Sequence, residues 1–225
     1  MSGAFVTPKQ QRALRTRNEL VRSAAEVFDQ QGFTTASLTA ISRQAGVSNG
    51  ALHFHFESKD SLAAAVESAA AERLAAIAER AHGGEVPALQ ALVDASHALV
   101  LLLRDDVIVR AGFRLDGERA REAGADLRGQ WQRLVRELLV KAHEEGALTA
   151  SVEPADAAAA VVAATVGMEV LGRHDQEWWA SRSLTAFWRL LLPRLAAGPV
   201  ESGQLDCTGR GGIETGLPQA LPDKR

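Results

Sequence analysis

Apolar residues recur at intervals of three and four along almost the whole chain. This spacing places them on one face of an α-helix, whereas a half-buried strand shows strict alternation of apolar and polar residues. No stretch alternates for long enough to indicate a strand, so the predicted fold class is all-α. The predicted helices cover about 12–31, 39–45, 48–54, 58–81, 87–103, 106–114, 126–145, 154–172 and 177–197.

Glycines and prolines mark the expected breaks in this pattern. Gly32 is expected to end the first helix as a C-cap, and Gly46 to form the turn between the second and third helices. After Ala197 the period is lost, and residues 198–225 hold six of the 19 glycines and three of the seven prolines. We therefore predict that 198–225 is a flexible tail.

The composition is that of a globular protein, with 46% hydrophobic residues, 24% charged residues and a net charge of −3. It argues against a disordered chain. The single cysteine, Cys207, rules out an intrachain disulfide and a multi-cysteine zinc site. The N-terminus lacks a signal-peptide pattern, and the longest apolar run, 157–166, is too short to span a bilayer. We expect a cytoplasmic, nucleoid-associated protein with no membrane contact.

The segment Leu38–Phe56 has the pattern of a helix-turn-helix. A short helix is followed by a turn at Gly46-Val47, and a second helix begins at Ser48. In such a motif the second helix lies in the major groove of DNA and presents its N-terminal residues to the base edges. Here those residues are Ser48, Asn49 and Gly50, of which Gly50 allows close approach and Asn49 suits a bidentate contact to adenine.

Cations and helix N-termini are expected to bind the DNA phosphates. Arg17, Thr39 and Lys59 are the candidates. Residues 8–22 contain five basic side chains and one acidic side chain, although the whole chain is slightly acidic. Considered alone, a solvated helix face explains this cluster equally well.

Residues 12–60 closely resemble the N-terminal domain of the TetR family of transcriptional repressors. The resemblance is carried by 24–28 (AAEVF), 32–38 (GFTTASL), 45–56 (AGVSNGALHFHF) and Ser58-Lys59. Two positions depart from the family pattern: Asn49 replaces a frequent lysine, and His53 a frequent tyrosine. His53 is expected to contact a phosphate, and His55 to pack within the motif.

A single helix-turn-helix makes few base contacts, so a two-fold dimer on a pseudo-palindromic operator is expected. The last two helices are the predicted dimer surface, since 157–165 is small and apolar and Phe187, Trp188, Leu191 and Leu195 supply larger side chains. The TetR resemblance implies a four-helix bundle at this interface. An ordinary intrachain core is the alternative.

A small-molecule site is expected in the second half of the chain, because cavities in helical bundles are mostly apolar with few polar anchors. The candidate ligand-binding residues are Val107, Phe113, Trp131, Leu134, Val135, Thr165 and Met168. A lone tryptophan is more often a core residue than a ligand contact. Glu169 indicates either a different ligand or an outward-facing side chain.

The segments 107–115 and 163–172, with Trp131, look like the γ-butyrolactone receptor branch of the TetR family. That resemblance implies a repressor released by a lactone or furan-type autoregulator of secondary metabolism. It also implies that Trp131 lines the pocket and that a hydroxyl near Thr165 anchors the ligand. A pseudo-receptor that senses an antibiotic or a biosynthetic intermediate is the alternative within the family.

The sequence therefore predicts a DNA-binding domain at 1–57, a ligand-binding and dimerisation domain at 58–197, and the tail at 198–225. An enzyme is not expected, because there is no HExxH, GxSxG or phosphate-loop motif. Neither a cofactor nor a metal is expected. A helical architectural or interaction protein that binds no effector is the alternative from another class.

Overall fold

The computed structural model describes residues 7–118, 124–198 and 205–209. The predicted all-α class is confirmed. Within these residues the only β-type pairing is one isolated bridge between Leu148 and Ala196. A short 3₁₀ helix, Gln176–Trp179, precedes the last α-helix. The α-helices are α1 Pro8–Thr35, α2 Leu38–Gln44, α3 Asn49–His55, α4 Lys59–Gly83, α5 Ala88–Asp105, α6 Val107–Glu118, α7 Leu127–Glu144, α8 Pro154–Gly172 and α9 Ser181–Leu195.

Local sequence signals explain most of the helix ends. Thr7 and Gln10 form a reciprocal capping box at the start of α1, and Pro8 occupies its first turn, so α1 begins before the predicted residue 12. Gly32 has φ +76°, which ends the regular helix where the sequence predicted a C-cap. The predicted last helix is divided at Ala180, which has extended backbone angles between the 3₁₀ helix and α9.

The chain forms two compact units. The first comprises the described residues within Met1–Ala71 and Val107–Asp126, and the second those within Glu72–Asp106 and Leu127–Arg225. The core of the first unit joins α1–α4 with Ala111 and Leu115 of α6, both fully buried. The structure therefore divides the chain differently from the predicted boundary at residue 57, because the apolar face of α6 packs into the helix-turn-helix core.

In the second unit, α5 is the central helix, with α7, α8, α9 and the 3₁₀ helix packed against it. Nearly every α5 residue from Ala88 to Leu103 is buried. By length and composition alone, α8 could cross a membrane, although the sequence predicted no span. A helix that packs in a protein core has the same two features, and α8 buries Val161, Thr165 and Met168 in this unit.

Part of the predicted tail is ordered. Residues 205–209 pack against α5, whereas the remaining tail residues from 199 onward lie outside the described residues.

Candidate functional site

The helix-turn-helix is held by caps and by a left-handed turn. The hydroxyls of Ser37 and Ser48 accept hydrogen bonds from the third backbone N–H beyond each of them, which caps α2 and α3. Gly46 has φ +66°, and the Val47 N–H returns to the Ser42 carbonyl at 3.0 Å. The predicted glycine turn is thus confirmed.

One face of α3 is buried and the opposite face is open. Leu52 is fully buried against the core of the first unit, whereas Ser48, Asn49, Gly50 and His53 are all exposed. A Cβ added to Gly50 would meet only the Ser48 hydroxyl, at 3.9 Å. The predicted base-reading residues therefore lie together on one accessible surface.

Phe54 is a residue on this surface that the sequence reasoning missed. Its side chain is 82% exposed, and the His55 ring meets it edge-on at 5.2 Å between centroids. Phe54 lies one helical turn after Gly50 on the face opposite Leu52, so helical spacing alone was a usable signal. An aromatic side chain this exposed is suited to an apolar contact with a partner.

Asn49 already has a partner within the motif. The Ser42 hydroxyl lies 2.5 Å from the Asn49 amide oxygen and 3.1 Å from the Thr39 carbonyl. A bidentate contact to adenine uses both the oxygen and the nitrogen of the amide. The Ser42 bond occupies one lone pair of the Asn49 oxygen, so the predicted adenine contact would use the second lone pair and the amide nitrogen.

Lys59 is also engaged inside the first unit. Its ammonium donates to the carbonyls of Phe33 (2.8 Å), Ala36 (2.9 Å) and Thr34 (3.3 Å), and it lies 4.5 Å from the centre of the Phe33 ring. An ammonium has three N–H donors, so these carbonyls use all of them. The structure gives Lys59 a capping role at the end of α1, and the predicted phosphate contact must compete with it.

The other predicted phosphate ligands are accessible. Thr39 is exposed in the first turn of α2, and the exposed Arg17 guanidinium lies 5.3 Å from the centre of the Phe56 ring. None of the first twelve residues of α1, 8–19, is buried. Lys9, Arg12 and Arg15 therefore extend the positive surface along exposed helix.

The second unit brings two predicted ligand residues into direct contact. The Trp131 indole N–H donates to the Thr165 hydroxyl at 2.8 Å, and this hydroxyl donates to the Val161 carbonyl at 2.9 Å. Trp131 and Thr165 are 0% and 1% exposed, and Leu134, Val135 and Met168 are buried in the same unit. Val107 and Phe113 belong to the first unit.

A buried carboxylate lies one turn beyond Thr165 on α8. Glu169 is 2% exposed and accepts from Arg128 at 2.7 Å and from Arg173 of its own helix. Of the two alternatives for Glu169, the outward-facing side chain is therefore wrong. Two polar pairs, Trp131–Thr165 and Arg128–Glu169, connect α7 with α8 at neighbouring positions.

A cavity of about 620 Å³ lies elsewhere in the second unit, at the end where α5 begins and α7 ends. None of the predicted ligand residues lines it. Its lining residues are Gly84, Glu85, Val86, Pro87, Leu89, Lys141, Glu145, Gly146, Ala147, Ala196, Ala197, Gly198 and Leu205.

The family model for bacterial regulatory proteins of the tetR family matches residues 20–66. This match covers the core of the first unit, from the buried part of α1 through α3 to α4. The chain belongs to the TetR family. The match contains the glycine turn and the exposed face of α3, where the sequence alone placed the resemblance.

The second half of the chain also has relatives. The A-factor receptor protein of Streptomyces griseus is 32% identical over 84% of this chain, which spans 66% of that receptor's length. A crystal structure of a γ-butyrolactone receptor, described as ArpA-like, is 25% identical with a TM-score of 0.77 and covers 88% of this chain and 97% of its own. The chain is thus in the γ-butyrolactone receptor-like branch.

A third relative was solved with nucleic acid. The TetR family protein CprB from Streptomyces coelicolor, in complex with its biological operator sequence, is 27% identical with a TM-score of 0.72. The match covers 84% of this chain and 91% of that chain.

Proposed function

We propose that this protein is a transcriptional repressor that binds a pseudo-palindromic operator as a dimer and is released by a small-molecule effector. The observation that carries the proposal is the open face of α3, where polar N-terminal residues, an unobstructed Gly50 and an exposed Phe54 lie together. A major groove admits a helix with such a face. The related CprB was solved in complex with its biological operator sequence, which supports operator binding by this chain.

We expect the first unit to contact both the base edges and the phosphates of the operator. Ser48, Asn49 and Gly50 approach the base edges, and His53 and Arg17 bind phosphates together with the basic start of α1. Phe54 meets a thymine methyl group, the apolar feature of the major groove. Selection of duplexes from a random pool tests this. We expect a two-fold symmetric consensus, and the absence of salt-sensitive binding to any duplex would refute the proposal.

A second copy of the chain is the expected partner of α8 and α9. Two of the predicted dimer residues, Trp188 and Leu195, are buried within the protomer, so they belong to its own core. The exposed apolar side chains that support the proposal are Val170 and Leu171 on α8, at 43% and 44%, and Leu190 on α9, at 80%. An isologous contact buries the same face of both copies, which suits this apolar surface. Analytical sedimentation of the full chain tests this prediction. A chain that stays monomeric would contradict it, because a monomer cannot contact both half-sites of the operator.

The proposed effector is a γ-butyrolactone or furan-type molecule, as in the branch to which the chain belongs. A lactone carbonyl accepts hydrogen bonds and cannot donate them. Because Thr165 already donates to Val161, the Trp131 indole N–H is the donor that such a carbonyl can take. The effector would then replace Thr165 as the partner of Trp131 in a mostly apolar site.

A pseudo-receptor for an antibiotic or biosynthetic intermediate is the second candidate. The observation that favours it is the buried Glu169 carboxylate, paired with the partly exposed Arg128 and Arg173, since charged groups near Trp131 and Thr165 suit a more polar ligand. A thermal-shift screen separates the two candidates. Stabilisation by simple lactones supports the first, and stabilisation only by polar polyketides supports the second.

Effector binding is proposed to act on DNA binding through α4, which contains residues of both units, and through the connection from α5 to α6. A single residue, Asp106, separates α5 from α6. Within the first unit α6 is tied to the end of α1, because Arg110 pairs with Asp29 at 3.0 Å and Glu118 accepts from the Phe33 N–H at 2.9 Å. A shift of α4 or α6 would change the spacing of the two α3 helices, which must match grooves about 34 Å apart.

A further inference from the structure

A short segment beyond α9, Leu205–Gly209, lies against α5, and we call it the strap. The Asp206 N–H donates to the Gln90 side-chain oxygen at 2.6 Å, and the Gln90 amide nitrogen donates back to the Asp206 carbonyl at 3.2 Å. Two turns further along α5, His97 Nε2 donates to the Cys207 carbonyl at 2.9 Å. These contacts all engage the main chain of the strap.

The surface that receives the strap is a polar row on an otherwise apolar helix. Gln90, Asp94 and His97 follow each other at intervals of four and three residues, which places them on one face of α5. Under the strap these side chains are only 2–4% exposed, and Gln90 also donates to Asp94 at 2.8 Å. Since water can bond the same groups when the strap leaves, the docked and the released states both satisfy them.

The strap is shaped to fit this row. Gly209 has φ +66°, and a Cβ added there would lie 2.6–2.7 Å from atoms of the His97 side chain. The Asp206 carboxylate turns back to accept from the Thr208 N–H (2.8 Å) and hydroxyl (2.6 Å), which holds the turn compact. Gly209 therefore meets two requirements at once, a left-handed backbone and a close approach to α5.

We propose that the strap is a reversible latch, in which the α5 groove of Gln90, Asp94 and His97 recognises the main chain of residues 205–209. Every strap residue remains partly exposed, so little apolar surface holds the segment in place. The buried Asp94 carboxyl and the Asp206 carboxyl repel each other when both are ionised, which favours release. Leu205 lines the 620 Å³ cavity, so release of the strap removes one of its walls. The latch does not depend on the proposed DNA-binding function.

The single cysteine of the chain provides a reporter within the strap. In the full-length protein near neutral pH, Cys207 is partly exposed while the strap is docked, so a rise in its rate of reaction with a maleimide above the rate of the parent protein reports more frequent release of the strap. We expect Gly209→Ala to raise this rate by about tenfold, through strain and the collision with His97. Gly146→Ala is the matched control, because Gly146 has φ +68° and no atom within 4 Å of an added Cβ. Asp94→Asn, which removes the repulsion, should slow the reaction.

Hydrogen exchange of the strap amides gives an independent reading of the same release. Gln90→Ala, which removes both bonds to Asp206, should speed exchange at 205–209 and Cys207 labelling together, even if Gly209→Ala fails to fold. Equal rates in the parent, Gly209→Ala and Gln90→Ala proteins would overturn the latch. So would equal acceleration by Gly209→Ala and Gly146→Ala, because release would then follow from general destabilisation.

Discussion

The indole N–H of Trp131 donates to the Thr165 hydroxyl across the contact between α7 and α8, at 2.8 Å. Both side chains are buried, and the Thr165 hydroxyl is bonded in turn to the Val161 carbonyl. The two residues that the branch resemblance proposed as ligand contacts therefore satisfy each other in the free protein. An effector that bonds to Trp131 must exchange with Thr165, and this exchange can be tested.

We expect Trp131→Phe to leave operator binding intact and to abolish release by the effector, because it removes the proposed donor but retains an aromatic ring. Trp131→Ala is less suitable, since it leaves a cavity that costs about 3–5 kcal/mol. The measurement is a gel shift with and without an effector identified in the thermal-shift screen.

Trp188→Phe is the control for this substitution. Trp188 is fully buried in the second unit, and its indole nitrogen has no hydrogen-bond partner among the described residues. Trp131→Phe should reduce the free energy of unfolding by roughly 1 kcal/mol more than Trp188→Phe does, for the lost hydrogen bond. Normal effector release by the Trp131→Phe protein would defeat the ligand assignment.

Lys59→Ala should reduce the free energy of unfolding by about 2 kcal/mol, because three carbonyls at the end of α1 lose a charged donor. Thermal denaturation measures this loss. Lys9→Ala, which removes an exposed cation at the start of α1, should leave stability unchanged within about 0.5 kcal/mol.

The salt dependence of operator binding separates capping by Lys59 from a phosphate contact. Each lost phosphate contact lowers the slope of log K against log salt by about 0.9. If Lys59→Ala leaves stability at the parental value and lowers the slope by this amount, the main role of Lys59 is the phosphate contact and not the cap.

Gly50→Ala is expected to change folding and binding in opposite directions. The added methyl group meets only the Ser48 hydroxyl at 3.9 Å, and alanine favours a helix over glycine by up to about 1 kcal/mol. The same methyl group separates α3 from the base edges, so operator affinity should fall by about tenfold or more. Calorimetry and fluorescence anisotropy measure the two effects, and unchanged affinity would argue against close approach of Gly50 to DNA.

Phe54→Ala should lower operator affinity by about tenfold while the free energy of unfolding stays within about 0.5 kcal/mol, since the ring is 82% exposed. Replacing operator thymines by uracil removes the methyl groups that Phe54 is proposed to touch. This replacement should weaken binding of the parent protein and have little effect on Phe54→Ala. Equal losses for both proteins would assign the methyl contact to another residue.

Asp94 makes stability depend on pH. Burial raises the pKa of Asp94 from 3.8 to about 6. The hydrogen bond from Gln90 opposes this shift, and the negative charge of Asp206 adds to it. The folded state thus holds the proton more tightly, so the contribution to stability is complete below pH 3.8 and is lost as pH rises through about 6. Asp94→Asn should therefore stabilise the protein by about 1–3 kcal/mol at neutral pH and flatten the curve between these values, as measured by denaturation across pH.

If the Asp94→Asn protein is more stable at neutral pH but its stability changes with pH as steeply as that of the parent, the pH dependence belongs to another group. His97, on the same face of α5, is the neighbour to consider, because burial lowers its pKa. Its transition has the opposite sign, since a histidine with a lowered pKa loses stability as pH falls.

Local pattern predicted most of the fold. Helices form from neighbouring residues, so the three- and four-residue period and the capping residues were enough to place α2, α3, α7 and α8 within about two residues. The turn at Gly46 and the exposed N-terminus of α3 follow from the same local rules. Phe54 was within reach of this reasoning, because its position one turn after Gly50 is a matter of spacing alone.

The contacts between distant residues were decided only by tertiary structure. Lys59 meets the carbonyl of Phe33, Asn49 meets Ser42, and Gln90 meets Asp206 across 116 positions of the chain. The place of α6 in the first unit and the docking of Leu205–Gly209 have the same origin. Periodicity shows that a residue lies on a buried or polar face, but the partner on that face depends on how the helices pack, and many partners satisfy the same pattern.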